Sequence, residues 1–215
     1  MCWLMTDTAS AQAPISRGEK RRRAVLEAAI ELFLENGYAA TSLDMVIAKA
    51  GGSRRTLYEH FGNKEGLFAA SIEHVMNGML STLGSLDFNS DDPEHQLSDV
   101  GYRFLATMTA PRTRALFRIL LAELNRFPEL GCMLFERGPE QAYRQIADYL
   151  RIQTAQGRLR IGEPEWAARH FIEMVKGELH LRALMCPERL PDDAGLQAHV
   201  QQTVRYFLKT TGNAG

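Results

Sequence analysis

Between Thr41 and Lys64 the chain reads TSLDMVIAKAGGSRRTLYEHFGNK. Eight side chains here suit contact with a nucleic-acid groove: Ser42, Ser53, Arg54, Arg55, Thr56, Tyr58, His60 and Lys64. An Arg guanidinium can bond a guanine edge bidentately, and a Thr methyl can pack on a thymine methyl. Tyr hydroxyls and Lys ammoniums suit phosphates. That chemistry needs a narrow body, anchored from behind by apolar residues.

The same stretch supplies the body. Thr41-Ser42 offers a side-chain oxygen to cap a helix. Leu43, Val46, Ile47 and Ala50 then recur at i, i+3, i+4, i+7, so one face is buried. Gly51-Gly52 breaks that helix, and Ser53 caps the next. The next helix, Arg54 to Phe61, points Leu57 and Phe61 inward. Arg55, Thr56 and Glu59 project away from the core, with Tyr58 and His60 on the flanks. Arg54 is angularly nearer the buried side, but from the first turn a long side chain still reaches outward. Helix, short Gly turn, helix is the helix-turn-helix arrangement. On spacing alone, a helical hairpin with a polar outer face stays open as an alternative.

An earlier helix is expected from Gly18 to Asn36. Leu26, Ala29, Ile30 and Phe33 form its apolar stripe, and Asn36-Gly37 stops it. Arg21, Arg22 and Arg23 at its amino end are either a solvated face or phosphate contacts. The chain has a net charge of -1, which excludes a uniformly basic coat. From Arg17 to Phe68, though, nine Lys/Arg face seven Asp/Glu, whereas from Ala69 onward sixteen face eighteen. A small cationic module on a neutral body favours the phosphate reading. Residues 1–16 lack periodicity and read as a disordered tail, with Met1 and Met5 both available as starts.

Beyond Phe68 the pattern stays helical. Asn63 caps a helix reaching about Leu83. Lys64 in its first turn opposes the helix dipole, a cost that phosphate contact would offset. A polar linker, Ser85 to Pro93, precedes helices at Pro93–Thr109, from Pro111 to about Leu124, and at Pro128–Arg137. Others are expected at 142–156, 163–185 and 191–210. The fold class is all-α: a three-helix head carrying the helix-turn-helix, plus a larger helical body, about nine helices in all.

The combination Ala28-Ala29, Glu31-Leu32-Phe33, Gly37-Tyr38, Thr41-Ser42, Ile47-Ala48, Ala50-Gly51, Thr56-Leu57-Tyr58, His60-Phe61, Asn63-Lys64-Glu65 and Leu67 resembles the DNA-binding domain of the TetR family of transcriptional regulators. The resemblance implies a DNA-binding domain at 17–68 and a regulatory and dimerisation domain at 69–215. It implies phosphate contacts from Ser42, Tyr58, His60 and Lys64, and base reading by Arg54, Arg55 and Thr56. Gly51-Gly52 is close to the usual pattern, where a bulkier residue often takes the second place, and Arg54-Arg55 is less typical, so the bases read stay open. It also implies a homodimer built through the last two helices, a palindromic double-stranded DNA operator, and repression relieved by a small apolar effector. The segments 126–130 and 135–139, RFPEL and FERGP, resemble the carboxy-terminal domain of an AefR-like branch, associated with efflux-type control.

Composition narrows the alternatives. Apolar residues make up 45% and charged residues 24%, ordinary for a globular protein. No apolar run approaches the roughly 18 residues of a membrane span, so a cytoplasmic protein with no membrane partner is expected. Cys2, Cys132 and Cys186 are too scattered for a disulfide framework or a zinc site. No phosphate loop, HExxH or nucleophile elbow is present, so neither an enzyme, a cofactor nor a metal is expected. An activator of the same fold remains open. A helical-bundle enzyme or binding protein would need paired Glu-x-x-His ligands, which are missing. Candidates for lining a body pocket are Phe104, Met108, Phe117, Leu121, Tyr143, His170, Phe171 and Met174. For each, ordinary core packing is the alternative. His170 with Glu173 lacks a third ligand, so a hydrogen-bonded His is expected there.

Overall fold

The computed structural model describes residues 16–211. Of the expected tail, all but Ser16 lies outside them. Ser16 itself caps α1 (Arg17–Ala40) by accepting a hydrogen bond from the Glu19 amide. The helical path of α1 breaks at Gly37, whose φ of 76° is accessible to glycine without strain. The expected stop is therefore real, although Tyr38 to Ala40 resume the turn. Thr41 serves α1 and not α2: its hydroxyl donates to the Leu32 and Gly37 carbonyls. Ser42 alone caps α2 (Leu43–Ala50), and Ser53 caps α3 (Arg54–Phe61). Asn63 caps α4 (Lys64–Leu83) as expected.

The body comprises α5 (Pro93–Thr109), α6 (Pro111–Glu123), α7 (Pro128–Arg137), α8 (Pro139–Ala155), α9 (Pro164–Met185) and α10 (Asp193–Thr211). Each of α5 to α9 starts on a proline, whose missing N–H costs nothing in a first turn. A single 3-10 turn, Pro187–Arg189, joins α9 to α10. The described residues thus hold ten α-helices and no strand.

Two apolar cores result. The first surrounds Phe33 and Phe68, whose rings meet edge to face at 5.0 Å, with Leu26, Val46, Leu57 and Phe61. It does not end with the head: Leu116 and Leu120 of α6 and Leu130 and Leu134 of α7 close it. Tyr38 bridges the seam, 5.0 Å from the Phe68 ring and 5.3 Å from that of Phe127. The second core fills the body with Leu97, Phe104, Tyr149, Phe171, Val200 and Phe207. Helix α4 runs past both. The expected head boundary at 68/69 falls inside this helix.

Ion pairs reinforce the seam. Glu27 of α1 accepts from both Arg112 of α6 and His74 of α4. Arg112 first, helped by His74, holds the Glu27 carboxyl below its ordinary pKa against the effect of burial. Arg137 of α7 pairs with Glu73 of α4. In the body, α9 kinks at Gly177, where φ is 45°. The kink frees the Val175 carbonyl, and His199 Nε2 of α10 donates to it at 3.0 Å.

Candidate nucleic-acid interface and cavity

Helix α3 is held from behind by Leu57 and Phe61, both buried. Its outer face is polar. Arg55 is 87% exposed and pairs with Glu59 one turn on at 2.8 Å. Arg54 crosses to α2 and donates to Asp44 at 2.6 Å. The hydroxyls of Thr56 and Ser53 lie 3.0 Å apart. Tyr58 and His60 are exposed. Ion pairs this exposed are worth about 0–1 kcal/mol, so Arg55 can exchange Glu59 for a base or phosphate at small cost, while Arg54 can keep Asp44 and offer its other N–H donors.

Beside α3 an open cleft is framed by the end of α1, the start of α2 and the start of α4. It gathers Ser42, Arg54, Tyr58 and Lys64. The other four candidates, Ser53, Arg55, Thr56 and His60, lie on α3 or its cap outside the cleft. An N-terminal helix end with an Arg, a Tyr and a Lys around it attracts anions. Asp44 also borders the cleft, and Arg54 neutralises it.

Lys64 also has partners within the head. Its charge already finds compensation inside the chain: Nζ donates to the Ala39 carbonyl at 2.9 Å and sits 4.5 Å from the Tyr38 ring centroid. The reason is the open end of α1, where carbonyls lack helical partners. Burial, and then the neighbouring Arg126, push the Lys64 pKa down. The basic run at the start of α1 is also partly spent on packing. The Arg21 guanidinium lies against the Gly51-Gly52 turn, and that of Arg22 sits 5.8 Å from the Phe61 ring centroid. Arg23 is exposed. Gly52, at φ 108°, is required by its backbone, whereas the Arg21 guanidinium against it is the free end of a flexible side chain.

Between the two cores lies a cavity of about 310 Å³. Five of the eight pocket candidates line it: Phe104, Met108, Phe117, Leu121 and Tyr143. Helix α4 adds Ile72, Val75, Met76, Met79 and Leu80, a wall that the sequence reading left out. Leu121 and Phe135 are large apolar side chains that remain about half exposed on its rim.

His170, Phe171 and Met174 do not line it. Helix α9 turns Ile172, Lys176, His180 and Leu184 to the cavity, four residues apart. Phe171 is buried in the body core, its ring 5.2 Å from that of Phe207, and Met174 packs against that same core. His170 is exposed, stacks on Trp166 at 3.6 Å and donates Nδ1–H to the Trp166 carbonyl, so it is the hydrogen-bonded His expected. The more apolar stripe of α9 is the one that went to the core.

One wall of the cavity is polar. Glu173 Oε1 accepts from the Tyr143 hydroxyl at 2.8 Å and from Lys176 Nζ at 2.6 Å. Burial, then the bond to Glu173, push the Tyr143 hydroxyl up to about 12. Burial raises the Glu173 carboxyl, but the Lys176 and Tyr143 donors outweigh it and leave the pKa lowered. His180 stacks obliquely on Phe117, centroids 5.5 Å apart; burial first, then the Lys176 charge, lower its pKa.

Comparison with known proteins gives this arrangement its family. Residues 25–71 match the model for bacterial regulatory proteins of the tetR family, and residues 95–211 match that for the AefR-like transcriptional repressor carboxy-terminal domain. The chain belongs to the TetR family. It is a transcriptional regulator, not an enzyme. A TetR-family transcriptional regulator structure from Mesorhizobium loti superposes with a TM-score of 0.82 at 27% identity, covering 92% of this chain and 99% of that one. The flavonoid-responsive regulator FrrA superposes at 0.74 with 32% identity, covering 91% and 99%. The HTH-type transcriptional repressor ComR of Escherichia coli is 42% identical over 65 residues, which is 29% of this chain and 31% of ComR. Members of the TetR family bind DNA and act as dimers that answer to small molecules. Among the described residues no helix is long and apolar enough to cross a membrane.

Proposed function

We propose that this protein is a cytoplasmic homodimeric repressor, released from a palindromic operator when a small apolar molecule fills the cavity. The carrying observation is a shared wall. Ile72, Leu116, Leu120 and Leu134 belong to the head's core and line the cavity at the same time. A ligand that repacks these four side chains changes the platform under α1 to α3. It shifts the head only by its differential affinity for the two arrangements. In a dimer, recognition helices about 34–36 Å apart meet successive turns of one DNA face, and a change in that spacing breaks simultaneous contact.

In this reading Arg54, Arg55 and Thr56 read bases, while Ser42, Ser53, Tyr58, His60 and Lys64 hold phosphates. Residues 17–68 form the DNA-binding unit and 69–215 the regulatory one. Dimerisation through α9 and α10 is supported by Leu181, Met185 and Tyr206, all large and more than half exposed on those helices. Repression is supported by the names of the AefR-like model and of ComR, and response to a small molecule by that of FrrA. The test is a mobility-shift titration on the DNA upstream of the protein's own gene. A salt-sensitive, sequence-preferring complex at nanomolar protein is expected, with a dimer in sedimentation. Equal affinity for random DNA would sink the proposal.

A further inference from the structure

The polar wall of the cavity is unevenly spent. Tyr143 and Lys176 both donate to one oxygen of Glu173, an exposed neighbour, so the Tyr143 proton and the Lys176 charge are matched while the other Lys176 protons are left over. His180 lines the same cavity from α9, one turn beyond Lys176, and makes no hydrogen bond to any described residue. Its ring faces that of Phe117, and Phe104 continues the aromatic lining. We infer that the ligand is an aromatic alcohol, an apolar ring body whose un-ionised hydroxyl lies against His180. This rests on the reading of the cavity as the effector site.

A neutral imidazole offers one acceptor and one N–H donor. A phenolic hydroxyl both donates and accepts, so it uses that pairing, with the remaining Lys176 protons beside it. Burial holds His180 neutral at neutral pH, the state this requires. A carboxylate fits less well. Taking an ion out of water costs far more than taking out a hydroxyl, and the nearest cation in this wall is already paired. Arg114 also borders the cavity, from the first turn of α6, and makes the carboxylate the competing outcome to measure.

The experiment is calorimetric titration of the full-length protein with 1-naphthol, naphthalene and 1-naphthoate. 1-Naphthol is expected to bind about tenfold or more tightly than either, the worth of one buried hydrogen bond pair. In His180→Leu the naphthol-to-naphthalene affinity ratio should collapse towards one. In His180→Gln, which keeps a donor and an acceptor, part of the ratio should return. Circular dichroism checks that both variants fold. Equal binding of naphthol and naphthalene by the natural protein overturns the inference but leaves the cavity as an effector site. Tighter binding of naphthoate overturns it in favour of an anion site at Arg114. Binding of no probe removes the effector reading of the cavity itself.

Discussion

Lys64 Nζ donates to the Ala39 carbonyl at 2.9 Å, tying the first turn of α4 to the last turn of α1. The bond sits on the rim of the cleft that also holds Ser42 and Tyr58. One lysine therefore closes the head and offers its remaining protons to an anion. The two roles separate experimentally. Lys64→Ala should weaken binding to operator and random duplex alike, lower the salt slope by about one, and also lower the thermal midpoint. Tyr58→Ala, on an exposed ring, should show the DNA effect with little loss of stability. Sequence-selective loss in either variant contradicts phosphate contact.

Arg54 and Arg55 are neighbours with different partners. Arg55→Ala should relax base preference and cost about 1–3 kcal/mol on the operator, because bidentate base contacts carry that much discrimination. Arg54→Ala should lose more than its own contact, since Asp44 is then left unpaired beside the phosphates. Adding Asp44→Asn to Arg54→Ala should restore part of the affinity. Anisotropy titrations of the single and double variants check this; strictly additive losses contradict the coupling.

Gly52 lies in the turn between α2 and α3. Gly52→Val forces a β-branched residue to φ 108° and displaces the Arg21 guanidinium. A left-handed backbone costs a non-glycine residue about 1–2 kcal/mol. For a chain of this size the thermal midpoint should fall by about 2–8 °C, with operator binding weakened in parallel. A calorimetric scan showing an unchanged midpoint contradicts the turn as described.

Much of this was legible in the sequence because the signals were local. Ser53, Asn63 and the prolines starting α5, α6, α7 and α9 mark helix starts by their own chemistry, Pro139 starts α8 three residues before the expected 142, and Gly37 marks a break by its own backbone freedom. Leu57 and Phe61 follow from spacing within one helix. What local spacing does not contain is the identity of the partner. Leu116 and Leu120 of α6 and Leu130 and Leu134 of α7 are apolar by type, and only the fold shows that the head lies on them. The cavity face of α9 was misjudged for the same reason. Phe171 and Met174 mark its most apolar side, which packs on the body core, while Lys176 and His180, polar types not among the pocket candidates, line the cavity.

His180 gives a pH dependence of definite sign. Burial, then the Lys176 charge, lower its folded pKa below the ordinary 6.5, with Glu173 opposing. Between the two values the unfolded chain binds a proton that the folded chain does not. Stability from this group is complete above about pH 6.5 and is lost as the pH falls towards the folded value, where the loss levels off. Urea unfolding from about pH 7.5 to about pH 5 should show natural protein losing stability faster than His180→Leu. Parallel curves contradict a half-buried neutral His180.

In the proposed function the shared wall of Ile72, Leu116, Leu120 and Leu134 joins cavity and DNA face as two ends of one equilibrium. Coupling of that kind is reciprocal and typically amounts to about 5–150-fold. The direct measurement takes 1-naphthol, or whichever apolar compound calorimetry places in the cavity. Its affinity is measured for free protein and for the operator complex, and operator affinity is measured with and without it. The two affinities should fall by the same factor. A compound that fills the cavity and leaves operator affinity unchanged contradicts the coupling outright.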